Sequence, residues 1–250
     1  MPTRTDTVAA LRARLEHAER ERAAHHRQLE RSAADLRESY RRERARAQQL
    51  RRSYKATVRA LSNAVEARDA YTGKHAERVA AYGLAIARAA GIDVAEEPQM
   101  EFGFLLHDIG KVGVPDAILF KPAELSEDEF SCVASHAAIG AKILRHVDFL
   151  EEATTIVRHH HERWDGTGYP DGLKGEQIPL AARVFAVADT LDALTTDRPY
   201  REAVGFEAAR AEIDRGCGTQ FDPAVIAVYG TIGDDAFARL SEGVRSSGGR

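Results

Sequence analysis

Between residues 8 and 60 the chain contains neither glycine nor proline, and no other feature restricts its fold as much. Ala, Arg, Glu, Leu and Gln crowd the stretch, residues that lose little side-chain freedom in a helix. The composition predicts one uninterrupted helix, well beyond the three or four turns usual in globular proteins. Val8, Leu11, Leu15, Ala18, Leu29 and Leu36 fall on a three-and-four spacing, interrupted at Arg22 and His25. After Leu36 the register moves by four, and Tyr40, Ala47, Leu50, Tyr54 and Leu61 continue it. Such a stutter in a heptad repeat is the pattern of a dimerising or signal-transmitting coiled coil.

Charge divides the chain in the same place. Residues 1–60 carry 16 Lys/Arg against 8 Asp/Glu, and the remaining residues carry 19 against 31. A basic arm therefore precedes an acidic body. The arm mixes both signs and offers no aromatic platform, which argues against a nucleic-acid partner. Only Cys132 and Cys217 occur, so no disulfide framework is expected and a reducing compartment fits. Neither a signal-peptide pattern nor an apolar run of about 20 residues is found. The expectation is a cytoplasmic protein without a membrane partner. It has an arm at residues 1–60 and a body at 61–250, the last ten or so residues lacking structure.

Helical periodicity continues into the body. Val79, Tyr82 and Ile86 share one side of a helix that Gly91 should end. A further helix is expected over 96–108. Ser126 and Glu129 form a capping box opening the helix that carries His136. Residues 179–195 and the segment "GFEAARAEIDRG" read as helices, and Asp222-Pro223 opens a last one to about Tyr229. No period-2 strand pattern appears, so the class is all-α, with at most a small hairpin around 166–178.

Seven of the ten histidines lie between residues 75 and 161. Clustered imidazole and carboxylate is the donor set of a divalent-metal site. "HDIGK" sets His107 beside Asp108, whose two oxygens can bridge two cations. Lys111 follows at i+3 from Asp108, placed to offer charge to a phosphate. His136 stands on a largely apolar helix, His75 follows the "YTGK" turn, and His146 reads as surface. His159, His160 and His161 are consecutive. Neighbours on a helix diverge by about 100°, so two can approach one cluster and the third swings away. Geometry favours a pair, 159–160 or 160–161, without choosing. The following "DGTGYPDGLKG" reads as a glycine-rich turn that lets backbone lie close to a ligand. Asp189 and Asp192 share a helical face at i and i+3, with Arg198 and Arg201 just beyond. Mixed nitrogen and oxygen donors flanked by basic residues equip a chain for metal-assisted phosphoester hydrolysis. Without thiolate they suit Fe or Mn before Zn or Mg.

The segments "RDAYTGKHAERV", "HDIGKVGVPDAIL", "HHHERWDGTGYPDGLKGEQIPLAARVFAVADTLDALTTDRPYR" and "GTQFDP", in this order over roughly residues 64–230, together resemble the HD-GYP family of the HD phosphohydrolase superfamily. The resemblance implies an HD-type helical bundle that hydrolyses cyclic di-GMP to pGpG and then often to GMP. It implies two divalent metal ions held by His107, Asp108, His136, His160, His161 and Asp189, choosing the second histidine pair and leaving His159 outside the ligand set. His75 matches a further ligand used where a third metal is present. Some trinuclear members place a glutamate where this chain has Tyr71, which favours two metals here. Asp108, His107 and Lys111 are the implied catalytic positions, Lys111 near the scissile phosphate. Asp192, Arg198 and Arg201 match positions close to substrate, and Gly168 and Tyr169 would shape the pocket. Relatives often carry an upstream sensor, and here the helical arm stands in that place, so a homodimer through the arm and an upstream signalling partner are expected. A catalytically idle cyclic di-GMP receptor and a hydrolase of another nucleotide are the alternatives.

Overall fold

The computed structural model describes residues 4–68, 74–94, 98–197 and 201–246, with backbone alone for residues 4–10. The chain divides into two compact units, Met1–Tyr54 and Lys55–Arg250. Helix α1 (Arg4–Glu66) supplies every described residue of the first unit, and its last turns belong to the second. In the first unit Leu11, Leu15, Leu29 and Leu36 are 58 to 71% exposed. Ion pairs one turn apart, such as Arg42–Glu38 at 2.9 Å, line its surface. Each contributes only about 0.3–0.5 kcal/mol, so propensity and these pairs are what hold this helix.

The second unit is all-α among its described residues. Val58, Ser62 and Val65 are the buried positions of the end of α1. Then follow α2 (His75–Ala89), α3 (Pro98–Leu106), a 3-10 turn over Ile109–Gly113, α4 (Asp116–Leu119), α5 (Glu127–Ala134) and α6 (His136–Leu144). The chain continues with α7 (Glu151–His159), α8 (Leu180–Thr195), α9 (Phe206–Arg215), α10 (Pro223–Gly230) and α11 (Asp234–Ser246). α2 packs on α3, α8 and α11, α3 on α7, and α6 on both α7 and the 3-10 turn. Tyr82, Ile86, Phe104, Phe185, Ile213 and Phe237 are fully buried among these helices. Each contributes about 1.5–3 kcal/mol by leaving water.

Local chemistry fixes several boundaries. Ser126 accepts from the Glu129 amide at 3.3 Å while Glu129 accepts from the Ser126 amide at 2.8 Å, completing the expected box. Asp222 accepts from Ala224 N at 2.8 Å ahead of Pro223. Gly91 adopts φ 83°, as the end of α2 requires.

Three features differ from the expectations. His136 does not ride within the helix opened by Ser126: it starts a new one after a turn at Ser135. The Ser135 hydroxyl donates to Cys132 O at 2.6 Å and the His136 ring bonds Val133 O at 2.7 Å. Both side chains take carbonyls that a continuous helix would use itself. Residues 166–178 form no strand pair; they hold turns and a 3-10 turn at Gly175–Gln177. α10 is followed by α11, so residues 241–246, expected to be unstructured, are helical, with Phe237 and Ser241 buried.

Candidate metal centre

Three histidines of the centre are each oriented by the backbone carbonyl three residues before them. His107 Nδ1 bonds Phe104 O at 2.8 Å, His136 Nδ1 bonds Val133 O at 2.7 Å, and His160 Nδ1 bonds Val157 O at 2.7 Å. A carbonyl only accepts, so each Nδ1 carries the proton and each Nε2 is left facing inward. A second hydrogen bond that fixes tautomer and ring plane is the usual support of a metal-binding histidine.

The inward atoms converge. His136 Nε2 stands 3.2 Å from His160 Nε2 and 3.5 Å from Asp108 Oδ1. His107 Nε2 lies 3.2 Å from Asp108 Oδ2, and Lys111 Nζ 2.9 Å from the same oxygen. His136, His160 and His161 offer ligand atoms within 4.8 Å of one another, as do His75, His107 and Asp108. Asp108 joins the two groups.

Burial pushes His160 well below the ordinary imidazole range, reinforced by His161 and His107. It brings His161 down to about 3, with His136 adding to the effect, and it lowers His136 against the pull of Asp108. For Asp108, burial acts upward, but His107 and Lys111 overcome it and hold the carboxyl well below its usual range. At neutral pH the His136 and His160 rings are thus neutral, with lone pairs directed at each other and at a carboxylate. Acceptors crowded this way repel unless a cation lies among them, so the donor set fits a divalent metal.

The turn bearing Asp108 and Lys111 reaches α6 because Gly110 has no side chain. A Cβ there would meet His136 O at 1.9 Å and Gly140 N at 2.5 Å. Nothing in "HDIGK" alone announced that contact. Gly168 plays the same part behind the histidines, since a Cβ would stand 2.4 Å from Arg163 N and 2.6 Å from His161 O. The Tyr169 ring then lies 4.7 Å from that of His161, and the exposed Phe130 ring meets Tyr169 edge-on at 5.9 Å.

His159 turns away from the centre. Its Nε2 bonds Asp171 Oδ2 at 3.0 Å, and Arg158 grips the same carboxylate at 2.7 Å through two nitrogens. Buried Glu162, which the sequence reading passed over, accepts from Asp171 N at 2.8 Å and Leu173 N at 3.0 Å. It ties the glycine-rich turn to the histidines. A glutamate next to a ligand pair and ahead of such a turn was the available signal.

On the other side His75 lies between two carboxylates, Asp192 Oδ2 at 2.8 Å from Nδ1 and Asp189 Oδ1 at 3.4 Å from Nε2. Burial alone would lower His75, but the Asp192 hydrogen bond and Asp189 raise it to about 9. Asp192 departs from the expected substrate contact. It is 1% exposed, and Arg78 takes its oxygens at 2.6 and 3.0 Å while His75 takes one of them as well. It is a buried anchor for His75 and Arg78. Arg201 is exposed and donates to Ala193 O at the end of α8, while Arg198 and Tyr71 lie outside the described residues.

A sequence model of the HD domain matches residues 59–225. A probable cyclic di-GMP phosphodiesterase of Vibrio cholerae is 42% identical over 197 residues, covering 72% of this chain and 45% of that protein. A 3'3'-cGAMP-specific phosphodiesterase of the same organism is 41% identical over 170 residues, covering 68% and 37%. The chain thus spans less than half the length of these curated relatives. The crystal structure of a cyclic GMP-AMP-specific phosphodiesterase of V. cholerae shares the fold. Its TM-score is 0.54 at 22% identity, over 74% of this chain and 52% of that one. With its helical core, its adjacent His107 and Asp108, and a match across two thirds of its length, this chain belongs to the HD domain family.

Proposed function

We propose that the protein hydrolyses a phosphodiester bond of cyclic di-GMP, giving pGpG, and so lowers the level of a second messenger. One observation carries the reading: the neutral Nε2 atoms of His136 and His160, 3.2 Å apart, close on Asp108 with Lys111 beside it. His107, Asp108, His136, His160, His161 and Asp189 would hold two divalent ions, Fe or Mn, and His75 offers a further donor. Divalent ions bound there supply a water of lowered pKa and positive charge toward phosphoryl oxygens. Lys111 adds a charge that stabilises the oxygens of the phosphoryl group as negative charge develops. Gly168 and Tyr169 would wall the site, and Arg198 and Arg201 would contact the substrate's phosphates.

The arm supports a further part of the reading. The exposed leucines of α1 are the surface through which two copies would pair, and an upstream signalling partner would act there. No described helix is long and apolar enough to cross a membrane. Cysteine usage supports a cytoplasmic location.

Replacing both His107 and Asp108 by alanine tests the assignment. Turnover of cyclic di-GMP should vanish while circular dichroism keeps its helical signal; retained turnover would sink it. The 41% identical relative that is 3'3'-cGAMP-specific favours one rival. Under that rival another cyclic dinucleotide is preferred, and kcat/KM across a panel decides it.

A further inference from the structure

Two elements of the centre are gripped from one place, the end of α1 and the turn just after it. Glu66 Oε2 accepts from Lys74 N at 3.1 Å and Oε1 from Ala76 N at 2.6 Å. These amides belong to the start of α2, where Lys74 offers no capping side chain and sits at φ 72°. Glu66 therefore does the work of an N-cap from outside the helix, with a carboxylate at the positive end of its dipole. The helix so capped begins with His75.

Arg68 grips the second element. Its guanidinium donates to Lys111 O at 3.1 Å and Val114 O at 3.0 Å, and to Asp116 Oδ1 at 2.6 Å. These groups span the 3-10 turn whose Lys111 Nζ meets Asp108 at 2.9 Å. A planar fork holds several acceptors at fixed angles, as an ammonium cannot. Ser62, Val65 and Glu66 also face His75, His107 and Asp108 across a cavity of about 10 Å³.

We propose that Glu66 and Arg68 are positioning residues of the centre: the end of α1 sets where His75 and Lys111 stand. The inference rests on the phosphodiesterase reading for its kinetic consequence, whereas its structural consequence stands apart from that reading. Misplacement by about 1 Å costs on the order of 100-fold in rate. A lost outer support costs about 10- to 100-fold in metal affinity.

The test uses full-length Glu66→Ala, Glu66→Gln, Arg68→Ala and Arg68→Lys, with Arg59→Ala as a control on the same helix. Arg59 reaches Glu101, at 3.5 Å. Three readouts are taken on each folded variant: kcat and KM on cyclic di-GMP, Mn2+ affinity of metal-depleted protein, and amide exchange over residues 109–113. Arg68→Ala should lower kcat by about 10- to 100-fold with KM within about twofold, and speed exchange in the turn. Arg68→Lys should recover only part of the loss. Glu66→Ala should weaken Mn2+ binding about tenfold, with Glu66→Gln between it and wild type because its amide oxygen still accepts. Variants that fold and keep wild-type kcat, Mn2+ affinity and exchange overturn the proposal, as would an equal loss in Arg59→Ala. A wild-type protein that turns over no cyclic dinucleotide would defeat the phosphodiesterase reading. Exchange and Mn2+ affinity would still decide the positioning.

Discussion

His161 and His75 belong to one centre, and burial disfavours the charged form of both. One is nevertheless brought down to about 3 and the other raised to about 9. The difference lies in the partners. His161 has other imidazoles beside it, with His136 deepening the effect of burial, and Asp108 only partly opposes it. His75 has Asp192 at 2.8 Å and Asp189 at 3.4 Å. The centre thus has a side of neutral donors suited to a cation and a side already neutralised by an ion-pair network. The contrast shows that residue type and burial together do not assign a metal ligand; the partner of the other ring nitrogen has to be known.

The largest test of that contrast removes the donor side. His160→Ala should lower turnover of cyclic di-GMP by about a thousandfold, which is about 4 kcal/mol of barrier. Steady-state kinetics on folded protein would check it. His75→Ala should cost far less, and equal losses would erase the distinction between the two sides. Next comes Lys111→Ala, expected to reduce kcat by about 100-fold with a smaller change in KM, as for loss of one charge-stabilising donor.

The neutralised side is tested by stability. Asp192→Asn strips the charge that faces buried Arg78 and half-buried His75, and should cost about 3–5 kcal/mol in denaturant unfolding. The two sides should also respond oppositely to pH in metal-free protein. His75 has a raised pKa, so its contribution is full below about 6.5 and is lost as pH rises through about 9. His161 has a lowered pKa, so its contribution is full above about 6.5 and is lost as pH falls toward about 3. Unfolding free energy measured against pH should therefore decline at both ends, and Asp192→Asn should remove most of the alkaline decline. The smallest effect is expected at the wall: Tyr169→Phe keeps the ring against His161 and should change kcat/KM by less than about threefold.

What could be read from the sequence was local. The capping box at Ser126 and Glu129 and the Asp222-Pro223 start each need only a few neighbouring residues. Helical geometry also foresaw that one of the three consecutive histidines must leave the cluster, and His159 is the one turned to Asp171. The reading failed where distant chain decides. Asp192 looked like a face open to substrate because its partners His75 and Arg78 are more than 100 residues away in sequence. Glu66 and Arg68 carried no local signal either, since their partners lie 8 to 48 residues further along the chain. α11 was missed because Phe237 finds its place against Tyr82 and Tyr229, contacts that no neighbouring residue announces. The break at Ser135 was hidden in a side-chain hydrogen bond that competes with the helix.

The central claim is that neutral histidines on the His136, His160 and His161 side hold divalent metal. Elemental analysis of anaerobically purified protein tests it most directly, with wild type compared against His136→Ala/His160→Ala. The account predicts Fe or Mn bound to the wild type at about two ions per chain, and its loss in the double variant with the fold retained. Equal metal content in both proteins, or none in either after supplementation with Fe2+ and Mn2+, would contradict it.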